Sequence, residues 1–369
     1  MNLINHTDFV AAYSLSTDKT GREHVVVVAK GTYAFPQGSS DEPELLDEQA
    51  PLVTCDSFTG EPGFSAPLYE IDFALRKPRC DVLLNGSAYA PHGRAAAQVT
   101  VALRLGSVSK SFAVVGNRVW KASKLYQGAS APEPFVRLPI SYDVAFGGVD
   151  QTSDDPSKQR WFLLNHAGRG YFATADPKAM DGKHLPNTEE TGRPVTSPSG
   201  NYKPMAFGPV GRAWQPRVKW AGTYDQKWLD ETAPFFPADF DERYFQSAPE
   251  DQQTDYLQGG EEVELQNLTP AGRTVFRLPA DLGVSAHFLL KTGKKQELAA
   301  RIDTIIFEPD RQRFMVVWRT QFALRRNPFE LAEIIVDWSG RRSKLLQERR
   351  RTKKRFSSLA ALGNGAAKR

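Results

Sequence analysis

The run "AAAQVTVALRLGSVSKSFAVV", residues 95–115, leaves little choice of secondary structure. Val99, Val101, Leu103 and Leu105 alternate with smaller or polar residues, Gly106-Ser107 turns the chain, and Phe112 to Val115 returns. A period of two puts the apolar set on one face, so the stretch reads as a β-hairpin over 98–116. The same grammar recurs. "REHVVVVAKGTYAFP" (22–36) is a β-branched run closed by proline, and "EEVELQNLTPAGRTVFRLP" (261–279) turns at Pro270-Ala271-Gly272. "RIDTIIFEPDRQRFMVVWRT" reads as a second hairpin, over 302–320, turning at Pro309-Asp310. "FELAEIIVDW" fits strand or helix. No long stretch holds a 3.6-residue period. These features predict a mainly β chain, an antiparallel β-sandwich with long ordered loops and a few short helices.

The segments group into four regions: an N-terminal β half (1–150), a loop-rich connecting region (151–256), a C-terminal β half (257–340) and a basic tail (341–369). The tail holds eleven Lys/Arg against Glu348 alone, so the net charge of +4 divides into +10 for the tail and −6 for residues 1–340. The tail reads as helical to about Leu362. It is the only hint of nucleic acid, and a basic terminus is more often a solvated arm. Cys55 and Cys80 cannot build a disulfide framework, and the N-terminus has neither a basic n-region nor an apolar core. The longest apolar runs are strand-sized. Together these predict a cytoplasmic protein with no membrane association.

Motifs that carry chemistry are sought in vain. There is no phosphate-binding G-x-x-x-x-G-K-[ST], no G-x-S-x-G elbow, no H-E-x-x-H and no paired C-x-x-C. His166 and His184 flank "GRGY" and would need Asp176 or Glu189 to make a site; loop histidines are the plainer reading. No catalytic residue, metal or cofactor is expected. The unusual stretch is 223–256, which carries eight aromatics and nine acids against Lys227 and Arg243. Aromatics give large contact area at low entropic cost and are enriched at interface hot spots. Trp228, Phe235, Phe236 and Tyr244 are therefore candidates for holding a partner; the competing reading is an internal strap. Helices are expected at "YDQKWLDE" and "PADFDERYFQSAP". The Gly/Arg loops add Arg169 and Arg212 as partner-binding candidates. Arg193 and Arg217 have the same character. The simpler use of these arginines is to pin loops to acids such as those of 223–256. Tryptophan and tyrosine beside Asp225 and Asp230, or Asp239 and Asp241, also fit a carbohydrate-binding or carbohydrate-active sandwich.

The segments "SYDVAFGG" (141–148), "NHAGRGY" (165–171), "LPNTE" (185–189), "FGPVGRAWQPR" (207–217), "TYDQKW" (223–228), "FPADFDERYF" (236–245) and "APEDQ" (248–252) resemble, in order and spacing, those of the bacterial family called domain of unknown function 2169 (DUF2169). The likeness spans about residues 5–320. His166 replaces a usual proline and Phe236 a usual leucine; the tail lies outside the match. The resemblance implies a cytoplasmic adaptor or chaperone of type VI secretion, which binds an effector and helps load it onto a VgrG/PAAR-type spike. It implies no catalytic residues.

Overall fold

The computed structural model describes residues 1–36, 42–123, 125, 127–153 and 155–338. The chain is mainly β, with three multi-stranded open sheets. The hairpin at 98–116 forms as Gln98–Leu105 and Val108–Val115, with Gly106 at φ 58° in the turn. It carries Glu262–Gln266 on one side and, beyond that, Arg273–Arg277; the short strand Thr188–Glu189 closes the other edge of this five-stranded sheet. The second hairpin forms as Arg301–Glu308 and Arg313–Ala323. It is the centre of a six-stranded sheet ordered Gln253–Thr254, Cys80–Leu84, Arg301–Glu308, Arg313–Ala323, Glu23–Ala34, Val10–Thr17. "FELAEIIVDW" resolves as a strand, Leu331–Trp338, parallel to Asn2–Asn5. Its other neighbour is Val284–Leu290, which pairs with the edge strand Lys295–Ala299.

Each of the three large sheets mixes strands from the N-terminal and C-terminal parts of the sequence. Gln98–Leu105 pairs with Glu262–Gln266, Glu23–Ala34 with Arg313–Ala323, and Asn2–Asn5 with Leu331–Trp338. The reason is side-chain economy: each sheet turns one apolar face to a common interior containing Val101, Phe112, Trp318, Phe288 and Ile334. The strand Glu23–Ala34 is buried on both faces. Its odd-numbered valines enter that interior, while Val26 and Val28 face a second cluster with Leu75, Val317 and Phe245. The sheet therefore needs a cover on its outer face, and Phe245 shows that the 223–256 segment supplies part of it.

A second, small core joins the connecting region to the end of the N-terminal half, around Trp120, Phe146, Phe162, Met180, Leu185 and Val195. Helices are few and short. Besides Gln226–Glu231 they include Pro177–Met180 and Gln215–Val218, outside the stretch where helix was expected. "PADFDERYFQSAP" forms a 3-10 turn, Glu242–Phe245. Asp241 caps that turn, and tertiary anchoring prevents it from propagating. The expected helical tail lies outside the described residues. No described helix is long and apolar enough to cross a membrane.

Candidate functional site

The 223–256 segment splits into two layers. In the outer one, Asp225 caps the helix Gln226–Glu231 by accepting from the Trp228 backbone N–H at 2.8 Å. The helix has no buried residue. Tyr224 meets Trp228 edge-on at 4.7 Å, and the Trp228 indole N–H donates to the Phe235 carbonyl at 2.8 Å. Tyr224, Leu229 and Phe235 are 52 %, 57 % and 42 % exposed. Phe235 leans on the turn at Gly21, where a β-carbon would lie 3.5 Å from its ring. The result is an apolar ledge in which Tyr224, Trp228 and Phe235 are stitched together locally, Trp228 half-buried, and Leu229 stands exposed on the same short helix.

The inner layer behaves in the opposite way. Phe236 stacks on buried Phe240 at 4.1 Å, and Phe240 and Tyr244 both pack on Phe245. Fully enclosed Asp81 accepts from Gln246 Nε2 at 2.6 Å and from the Ser247 N–H and hydroxyl at 2.8 and 2.9 Å. Lys77 balances its charge at 2.8 Å. Gln252 reaches from the segment into the interior, donating to the carbonyls of Val82 and Phe207 at 2.8 and 2.9 Å. The Lys110 ammonium donates to Gln252 Oε1 at 2.7 Å and approaches Asp251 at 3.3 Å. Burial pushes Lys110 down to about 8, and the Asp251 charge offsets that only in part.

Of the partner-binding candidates, Trp228 and Phe235 sit on the ledge. Phe236 and Tyr244 belong to the inner layer. The Tyr244 ring lies under the guanidiniums of Arg212 and Arg217, 6.0 and 5.6 Å away. Arg212 is itself bidentate on Asp56, at 2.7 and 3.2 Å, so it is a clamp that faces inward. Arg169 is half-buried, is lowered by burial, and bonds the Asn187 side chain. Arg193 pairs with Glu190 at 3.1 Å. Arg217 pairs with Glu70 and donates to the Tyr244 carbonyl at 2.8 Å. The arginines thus pin loops, as the simpler reading expected. The acids they take are Asp56, Glu70 and Glu190; within 223–256, Asp225 and Asp241 cap local turns, while Glu242, Glu250 and Asp251 pair with Arg76, Lys219 and the pair Lys110 and Lys203. The ledge residues Tyr224 and Leu229 were not singled out from sequence; Leu229 lacked any signal beyond its place in a six-residue helix.

The Gly-rich motifs are explained by close approach. Buried Asn165 donates to the carbonyls of Tyr142 and Phe146 at 2.8 and 3.2 Å, and a β-carbon on Gly168 would come within 2.4 Å of its amide. "LPNTEE" holds Glu189, which takes Arg118 at 2.6 Å in the interior. His166 lies between Trp161 and Trp214, at 5.4 and 6.2 Å, and is lowered by burial; exposed His184 bridges Val119. They serve different elements. Among the described residues no group of three His, Cys, Asp or Glu side chains is placed to hold a metal.

A cleft of about 520 Å³ lies where "FGPVGRAWQPR" meets "APEDQ". Trp220 forms part of its wall, with Arg243 over its ring at 3.4 Å and Lys219 at 4.8 Å. Its charges are internally matched: Lys203 with Asp251 at 2.7 Å, Lys219 with Glu250 at 3.5 Å. The carboxylates considered for sugar chemistry are also engaged. Asp239 accepts from the Thr223 N–H and hydroxyl, and Asp241 takes Arg243 at 2.6 Å; both are held below the usual carboxylate range, Asp239 mainly by Thr223 and Asp241 by Arg243. A proton-donating acid at neutral pH requires the opposite shift.

An aromatic ledge on a cross-linked strap, carried by a β scaffold, defines the class of architecture. The chain belongs to the family described as "uncharacterized protein conserved in bacteria" (DUF2169), whose pattern matches residues 20–319. No curated protein and no solved structure matches it.

Proposed function

We propose that this protein is a non-enzymatic adaptor, a cytoplasmic chaperone that holds a secreted effector of type VI secretion on its aromatic ledge and helps load it onto a VgrG/PAAR-type spike. The observation that carries the binding reading is the helix Gln226–Glu231, which buries none of its residues, leaves Leu229 exposed, and holds Trp228 against the Tyr224 ring and the Phe235 carbonyl. A helix of six residues has little stability of its own, and local contacts alone hold this one, with Leu229 and the Phe235 ring left toward solvent. Apolar side chains grouped at a surface, rimmed by acids such as Asp225, Asp230 and Glu231, match the anatomy of a hot spot with a polar rim. The secretion context rests on the family likeness. In this reading the sheets pack as a sandwich that supports the strap rigidly, and the ledge engages an apolar segment of the effector.

The test is co-purification with the products of the neighbouring spike and effector genes. Wild-type chain is expected to retain the effector, and a triple variant, W228A/L229A/F235A, to lose it while melting at nearly the same temperature. Effector retention undiminished in the folded triple variant would refute the ledge as the contact surface.

A further inference from the structure

A second recognition element lies away from the ledge. A cavity of about 480 Å³ opens where the edge strand Lys295–Ala299 runs into Arg301–Glu308. Its charged lining is lopsided: Arg76, Lys77, Arg301 and Arg319 against Asp303. Two of those cations are consumed inside the fold. Arg319 grips Asp303 at 2.6 and 3.3 Å and donates to the Ala74 carbonyl at 2.7 Å. Lys77 serves Asp81 and Thr304 at 2.8 and 2.9 Å. The other two stand at the mouth. Arg76 is half exposed and only loosely paired, 3.6 Å from Glu242. Arg301 is exposed, lies over the Tyr256 ring at 4.9 Å, and has no carboxylate within 4 Å among the described residues.

Two further facts narrow the ligand. Gln321 and Thr320 add polar side chains to the lining, which suits the polar end of a peptide. The cavity also adjoins a free sheet edge. Lys295–Ala299 pairs only with Val284–Leu290, and four of its five residues are exposed. Unpaired edges accept additional strands, and an Arg fork suits a carboxylate.

We propose that this cavity captures the C-terminal carboxylate of an extended partner chain. The carboxylate sits between Arg301 and Arg76, and the preceding residues add a strand to Lys295–Ala299. The charge of the mouth selects the carboxylate and the sheet edge selects an extended peptide.

The probe is a pool of acetylated heptapeptides randomised at the last four positions, prepared with a free carboxylate and again as the C-terminal amide. Each pool is passed over the immobilised full-length chain and the retained peptides are quantified by mass spectrometry. The free-acid pool is expected to be retained about ten- to a hundredfold better, the range for a charge-assisted hydrogen bond. R301A and R76A should each erode that preference, while R277A, an exposed arginine on another edge strand, and L229A on the ledge should not. Loss in L229A would assign the peptides to the ledge and overturn the proposal. Equal retention of both pools, or an unchanged preference in R301A and R76A with unaltered melting, would also overturn it. N-acetylleucine competes for the carboxylate site alone; if it displaces the peptides at their own concentration, the strand addition is wrong.

Discussion

The two layers of the 223–256 segment have nearly the same composition and opposite fates. Residues 223–235 contribute Tyr224, Trp228 and Phe235 to a surface; residues 236–256 contribute Phe240 and Phe245 to the cover of a sheet. Aromatic content does not separate them. What does is buried polar anchorage. The inner layer is tied by Gln246, Ser247 and Gln252 to Asp81, Val82, Phe207 and Lys110. The outer layer has mainly local bonds, such as Thr223 to Asp239 and Trp228 to Phe235. An unmatched polar group in the interior is expensive, so such ties fix which part of a segment stays in. Rings beyond the last tie are free to serve another molecule.

The largest effect is expected at Asp81. Asp81→Ala removes the acceptor for Gln246 and Ser247 and strands Lys77 in the interior; it should cost about 3–5 kcal/mol, read by chemical denaturation. A loss below about 1 kcal/mol would show that Asp81 does not hold the strap. Phe240→Ala should cost about 3 kcal/mol, the lower end for a buried phenylalanine. Its effect on partner binding should follow from unfolding alone.

Lys110 sharpens the comparison through pH. Its folded-state value, about 8, lies below the ordinary 10.5, so between those limits the unfolded chain binds the extra proton. Its contribution therefore rises with pH from 8 to 10.5 and is lost as pH falls through 8. Buried Tyr33 and Tyr142, raised by burial, pull the other way above pH 10. The clean readout is the difference in melting temperature between wild type and Lys110→Met. That difference should shift in favour of wild type across this window, and a pH-independent difference would refute the assignment. Smallest of all, Leu229→Ala and Phe235→Ala should change stability by no more than about 0.5 kcal/mol, the usual scale for exposed positions. Either one unfolding the protein would turn the ledge into core.

Much of this was legible in the sequence. The hairpins at 98–116 and 302–320 announced themselves, because period two and turn residues are local signals. The helix expected in "YDQKWLDE" forms as Gln226–Glu231, and the structure adds that Asp225 caps it. The pairing of chain ends was not legible, since register between Glu23–Ala34 and Arg313–Ala323 depends on apolar faces nearly 300 residues apart. Arg212 and Tyr244 stand out in the sequence as partner-binding candidates, and the structure turns them toward each other. The acids that hold Arg212, Asp56 and Glu70, lie far away in sequence and carry no motif. The division of the aromatic stretch was equally hidden, because Asp81, which decides it, looks like any strand-border acid.

The segment is anchored from residue 236 onward and exposed before it. Hydrogen–deuterium exchange of the free chain and of the effector-bound chain addresses that directly. Amides of 226–235 should exchange quickly in the free chain, those of 240–254 slowly, and effector should slow the first set while leaving the second unchanged. Uniformly slow exchange across both, or protection by effector that omits 226–235, would contradict it.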